Sequence, residues 1–150
     1  MTDDTVTGPA RALYQRCLAA WNGRDFAGVA ACFTEPAFYV LPGASVALPD
    51  RDSFVSLLKK VFAGPEAQGF DRTEVGKITA TPCGADMAVV DARDVARLCR
   101  DGTVIEMIDG HYVICSRMAI GGSPWRSLVR LPRVAPDPKP GREDSDGLSL

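Results

Sequence analysis

Three ionisable side chains in the C-terminal half of the chain, Asp94, Asp109 and His111, are spaced so that they could act as one acid–base unit. Asp101-Gly102 lies between two apolar-rich runs and reads as a hairpin loop. With a two-residue loop, Arg97 faces Glu106 as an opposite-charge pair, Asp94 lies opposite Asp109, and His111 follows two residues along the same face. Ala88, Val90, Ala92, Ala96, Ile105, Met107, Val113 and Cys115 share that face. It is apolar and rich in small side chains, which leaves room for a cavity. Two carboxylates across a strand pair cannot both ionise cheaply, and apolar walls push the same way, so one is expected to hold its proton. A carboxylate beside His111 favours its charged form and fixes the ring. Such a group could move a proton to or from a carbon acid, or assist a dehydration. A three-residue loop with a bulged glycine gives a different register. Asp91 then faces His111, Arg93 faces Asp109, and the unit becomes a set of surface pairs.

Other side chains could shape a pocket. Tyr14, Tyr39 and Tyr112 each combine an apolar ring with a hydroxyl donor. Cys17 lies on the apolar stripe of a helix with Leu13, Leu18 and Trp21, and Trp21 and Trp125 are candidate walls. Arg93, Arg97 and Arg117 could bind a carboxylate, although arginines facing solvent or an interface are the commoner case. There is no phosphate-binding glycine loop, serine nucleophile elbow or metal-ligand spacing. The single histidine excludes a site of two or three histidines within one chain. No cofactor and no metal are expected.

The chain has 150 residues, 46% of them apolar and 24% charged, which suits one soluble globular domain. Its net charge of −2 offers no basic excess for phosphates, so a nucleic-acid partner is disfavoured. The charge is uneven. Asp3 and Asp4 lie in a short polar arm over residues 1–8. The Pro-rich, acidic stretch 134–150 reads as a disordered tail. The single domain between them, 9–133, is left slightly basic and arginine-rich. Five cysteines, an odd number with no Cys-x-x-Cys, point to free thiols in a reducing compartment. No apolar run is long enough for a membrane span or shaped like a signal-peptide core, so a cytoplasmic location is expected.

These residues require three helices followed by strands. Pro9 suits the first turn of a helix that carries Leu13, Cys17, Leu18 and Trp21 and stops at Asn22-Gly23. Asp25 can cap a short second helix with Phe26, Val29, Ala30 and Phe33, broken by Pro36. A strand follows over 38–41. Asp50 or Asp52 caps a third helix, with Phe54, Leu57, Leu58, Val61 and Phe62, closed by Gly64-Pro65. Strand runs are then expected over 72–81, 86–98, 103–117 and 125–133. Helices on one side of long antiparallel strands make an α+β arrangement.

This layout resembles the cone-shaped α+β fold of nuclear transport factor 2, ketosteroid isomerase, scytalone dehydratase and the SnoaL-like polyketide cyclases. The residues that carry the resemblance are Gln15 through Asp25 followed by Phe33, then Leu41-Pro42-Gly43, then Ile108-Asp109, and a closing Gly-x-x-Trp-Arg at Gly122–Arg126. It covers residues 11–131. It implies three helices packed into the concave face of a strongly curved, mostly antiparallel sheet, a cone-shaped barrel. It also implies an internal pocket and, often, a homodimer through the outer sheet face. Ketosteroid isomerase works with a general-base Asp, a Tyr and a protonated Asp. On those positions this chain places Leu41, Cys17 and Asp109, so one group of the three is kept and that isomerase constellation is not. The resemblance implies that Asp109 points into the pocket.

The expected function is that of a SnoaL-like protein holding a small, largely apolar molecule with polar handles. The expected contacts are Tyr14, Cys17, Trp21, Tyr39, Leu41, Met107 and Trp125, and the expected acid–base groups are Asp94, Asp109 and His111. The chemistry would be a cofactor-free isomerisation, cyclisation or dehydration. The alternative is a non-catalytic dimeric module, for which the opposite hairpin face offers Val89, Val95, Val104, Ile108, Tyr112 and Ile114 beside Asp91, Arg93 and Glu106.

Overall fold

A computed structural model of the chain describes residues 4–41, 43–116 and 125–132. Helix α1 spans Asp4–Asn22. Val6, Ala10, Leu13, Tyr14 and Trp21 are all buried, an apolar stripe at helical spacing. The helix starts ahead of Pro9, and Val6 is 1% exposed. From Asp4 on, the expected flexible arm is therefore helix, anchored by a side chain too apolar to leave in water. The segment 134–150 lies outside the described residues.

Asp25 caps α2, Phe26–Ala31, by accepting the Gly28 backbone N–H at 2.9 Å. Phe33 belongs to the following strand rather than to this helix. Asp50 caps α3, Arg51–Ala67, by accepting the Ser53 N–H at 2.8 Å. The expected stop at Gly64-Pro65 does not occur. The helix continues to Ala67, with Pro65 buried inside its last turn, where packing of the ring offsets one missing backbone bond. Among the described residues, no helix is long and apolar enough to cross a membrane.

The strands are β1 Phe33–Leu41, β2 Ala44–Leu48, β3 Phe70–Pro82, β4 Met87–Cys99, β5 Val104–Met107, β6 Gly110–Ser116 and β7 Trp125–Pro132. They form one sheet in the order β2-β1-β7-β6-β4-β3, with β5 also on β4. The pairing is antiparallel except between β1 and β7, which are parallel. The sheet is curved but open, its order ending at β2 and β3 rather than closing into a barrel. One face packs on the helices. Trp21, Phe26, Phe62 and Phe70 meet largely edge to face at one end, and Phe33, Tyr39 and Phe54 cluster at another.

The hairpin between β4 and β5 uses both registers considered above, in different stretches. Cys99 N–H donates to Thr103 O at 2.9 Å across a three-residue loop, and Gly102 takes the left-handed conformation with φ 90°. Leu98 faces Val104, but Arg97 faces Glu106, so Ile105 is an extra residue in β5. Further along, Ile108 N–H donates to Val95 O at 2.9 Å, while Ala92 faces Gly110 and Asp91 faces His111. Arg93 and Asp94 together therefore oppose Asp109, and this second bulge lies in β4. Asp94 there has φ 54°. The bulge switches the inward face of β4 from Ala88, Val90 and Ala92 to Val95 and Arg97. It also ends the expected 103–117 run, splitting it into β5 and β6.

Candidate functional site

The cavity lies between α1 and the inner face of the sheet, with about 60 Å³ open to the centres of water-sized molecules. That is room for several such groups, since one needs roughly 10–15 Å³ on this measure. Helix α1 contributes Tyr14, Cys17, Leu18 and Trp21, and Val29 and Leu58 come from α2 and α3. The sheet contributes Phe33, Tyr39, Thr73, Val95, Arg97 and Tyr112, and Ile108 comes from the β5–β6 junction. The Tyr14 and Tyr112 rings meet at 5.0 Å.

Two side chains after Trp21 hold this end of the cavity together. Asn22 donates from Nδ2 to Thr73 O at 3.0 Å and accepts the Thr73 N–H on Oδ1 at 2.8 Å. It thus stands in for a neighbouring strand at the start of β3. Arg24, at φ 58°, donates to the carbonyls of Asn22, Asp71 and Phe70 at 2.7, 2.8 and 3.0 Å and lies over the Phe70 ring. Together they tie the end of α1 to β3, which sets Trp21 against Thr73.

Arg97 is 7% exposed, turned inward by the β4 bulge. Its guanidinium sits 5.1 Å from the Trp21 ring centre, a cation–π contact. Nη1 donates to Glu106, whose side chain is 43% exposed. Three buried polar atoms of the lining have no hydrogen-bond partner among the described residues: Trp21 Nε1, Thr73 Oγ1 and Arg97 Nε. Among the described residues, Arg97 is the one lining side chain that carries a formal charge, and no carboxylate or imidazole lines the cavity.

The structure does not bring Asp94, Asp109 and His111 together. Asp94 is exposed on the bulge, packed against Gly76. Asp109 accepts the Val95 N–H on Oδ1 at 2.8 Å and so clips the bulge closed. His111 Nδ1 lies 3.2 Å from Asp91 Oδ1, and Arg93 Nε donates to Asp91 Oδ2 at 2.7 Å. This trio occupies the sheet face opposite the buried Ala92, Val90 and Ile114. None of Asp94, Asp109 and His111 lines the cavity. Two carboxyls away from the cavity are held below the ordinary carboxylate value. Asp50 is held down by the Ser53 N–H and hydroxyl, and Asp101 by the Thr103 hydroxyl and N–H. Among the described residues, no three side chains converge as metal ligands.

Of the expected contacts, Tyr14, Cys17, Trp21 and Tyr39 line the cavity, and Met107 is 55% exposed on β5. The side chains of Leu41 and Trp125, and all of Arg117, lie outside the described residues. Arg97, one of the three candidate carboxylate binders, also lines the cavity, and Thr73, Val95 and Ile108 are lining residues not expected there. Arg97 in an alternating strand reads as an outward charge, and only the bulge reverses it. Val95, Ile108, Tyr112 and Ile114, expected on a face between subunits, point toward the helices instead. The same register change moves them.

Helices laid across a curved, mostly antiparallel sheet, with a cavity between them, define the NTF2-like class of α+β proteins. The family model described as NTF2-like protein (DUF6841) matches residues 5–126, and the chain belongs to that family. Solved structures agree on the fold. An NTF2-like protein with a cystatin-like fold from Novosphingobium aromaticivorans is 20% identical, with a TM-score of 0.67 over 91% of this chain and 86% of that one. A cystatin-like domain of unknown function from Nostoc punctiforme is 19% identical, with a TM-score of 0.65 over 99% and 90%. A Catenulispora acidiphila protein, solved in complex with S-DNPA, is 16% identical, with a TM-score of 0.62 over 83% and 90%. No curated protein matches the chain significantly.

Proposed function

We propose that the protein binds a small, largely apolar molecule in the cavity between α1 and the sheet. The observation that carries this reading is the lining itself. Aliphatic and aromatic walls surround a few converging polar groups, the usual make-up of a small-molecule site. The complex of the similarly folded Catenulispora acidiphila protein with S-DNPA supports it. Acid–base turnover here, whether isomerisation, cyclisation or dehydration, would fall to Tyr14, Tyr39, Tyr112 and Cys17, because Asp94, Asp109 and His111 are not among the lining residues. Five cysteines without a disulfide among the described residues support a cytoplasmic setting.

The test is an NMR screen of bicyclic aromatic fragments against the wild type and Cys17→Phe, which fills the cavity from α1. Hits that move the Trp21 indole signal and are lost in Cys17→Phe are expected. Hits that bind the filled variant equally well would place the ligand elsewhere. A second reading, association of two copies through the outer face, rests on Val104 and Met107, which are 54% and 55% exposed. Light scattering tests it, and a monomer at micromolar concentration would remove it.

A further inference from the structure

We propose that the ligand of this cavity carries a carboxylate, and that the carboxylate seats at the end formed by Arg97, Trp21 and Thr73. This rests on the binding reading above and names the class of molecule. Trp21 Nε1 and Arg97 Nε can only donate hydrogen bonds, and the Thr73 hydroxyl can donate. All three residues are more than nine-tenths buried, all three line the cavity, and these three atoms have no partner among the described residues. A buried donor left unpaired is costly, so three at one end of one cavity mark a place where an acceptor belongs.

Charge narrows the acceptor. Arg97 is withdrawn from water, yet its Glu106 partner covers one nitrogen and stays half in solvent. The guanidinium therefore keeps one unpartnered donor, Nε, and its planar fork matches a carboxylate in shape. None of the three atoms is reached by water, so the Trp21 and Arg97 side chains must part slightly to admit the oxygens. The acceptor then recovers desolvation already incurred. The remaining walls, Leu18, Val29, Phe33 and Leu58 among them, take the apolar body of the ligand.

The probes are 2-naphthoate, its neutral primary amide and naphthalene, titrated into the full chain by NMR and calorimetry. The acid should bind about tenfold or more tighter than the amide. Arg97→Met should abolish that preference while the amide still binds. Thr73→Val and Trp21→Phe, which each remove one donor and keep most of the volume, should each weaken the acid severalfold. They keep the question open to refutation should Arg97→Met fail to fold. Thr73→Val should also raise the melting temperature of the free protein, because it removes an unpaired buried hydroxyl. Acid and amide binding equally, or a preference that survives in Arg97→Met or is undiminished in both single-donor variants, would overturn the carboxylate assignment and leave the pocket standing. Failure of all three probes to bind would overturn the pocket, and this assignment with it.

Discussion

Asp109→Ala should loosen the wall of the cavity without touching its lining. Asp109 Oδ1 accepts the Val95 N–H at 2.8 Å, and Val95 is 2% exposed. In a regular ladder a backbone carbonyl would take that N–H, but the Arg93–Asp94 bulge has carried the strands out of step. Removing the carboxylate leaves that part-buried donor without its partner. A hydrogen bond to a charged group contributes about 1.5–3 kcal/mol, and an orphaned buried donor costs a similar amount, so a loss of about 2 kcal/mol is expected. For a domain of this size that is roughly 4–8 °C in melting temperature. Asp109→Asn keeps an acceptor oxygen and should lose about half as much or less. Urea unfolding measures both, with the midpoint lowered at constant slope. Hydrogen exchange should show the Val95 amide losing protection in the alanine variant. An Asp109→Ala loss under about 0.5 kcal/mol, or an asparagine variant as damaged as the alanine one, would refute the role of Asp109 as the clip of the bulge.

Three further outcomes are expected. Gly76→Ala would place a β-carbon 2.7 Å from Asp94 Cβ, with no flexible end to give way, and should cost about 1–3 kcal/mol in denaturant unfolding; Gly64→Ala, in open space on α3, should gain about 0.5–1 kcal/mol. Asn22→Ala breaks both bonds to the Thr73 backbone and should cost about 2 kcal/mol, seen in unfolding and in faster exchange of the Thr73 amide. The Ser53 N–H and hydroxyl hold Asp50 below the ordinary carboxylate value, so its cap should be fully stabilising above the ordinary value and lost as the pH falls from there through the lowered one. Asp50→Asn should flatten that part of the pH–stability curve, and an unchanged acid limb would count against the cap.

Much of the fold was legible because its signals are local. Asp25 is read correctly as a helix cap, and Asp50 is one of the two caps offered for α3, since a cap needs only its own next three residues. The long strands of the second half follow from β-rich runs between turn residues. The parallel pairing of β1 with β7 joins distant segments and leaves no local trace. Strand β2 could have been found from Val46 and Leu48 at alternate positions, though its alanines weaken the signal. Val6 lies in a segment too short and polar to show its one apolar contact. The site was legible on α1, where helical spacing places Tyr14, Cys17 and Trp21 on one stripe. It was not legible on the hairpin, where one extra residue reverses every later side chain. Ile105 and the Arg93–Asp94 pair each do so, which is why Arg97 faces Glu106 as one register requires while His111 faces Asp91 as the other does.

The central claim, that the space between α1 and the sheet is a ligand site, is tested most directly through the indole N–H of Trp21. Trp21 and Trp125 supply the two indole signals of the chain, and Trp21→Phe assigns them. Titration of 2-naphthoate into 15N-labelled protein should move the Trp21 indole signal together with the Val95 and Ile108 amides. Shifts confined to His111, Val113 and the outer face, or no shifts at millimolar ligand, would contradict the account.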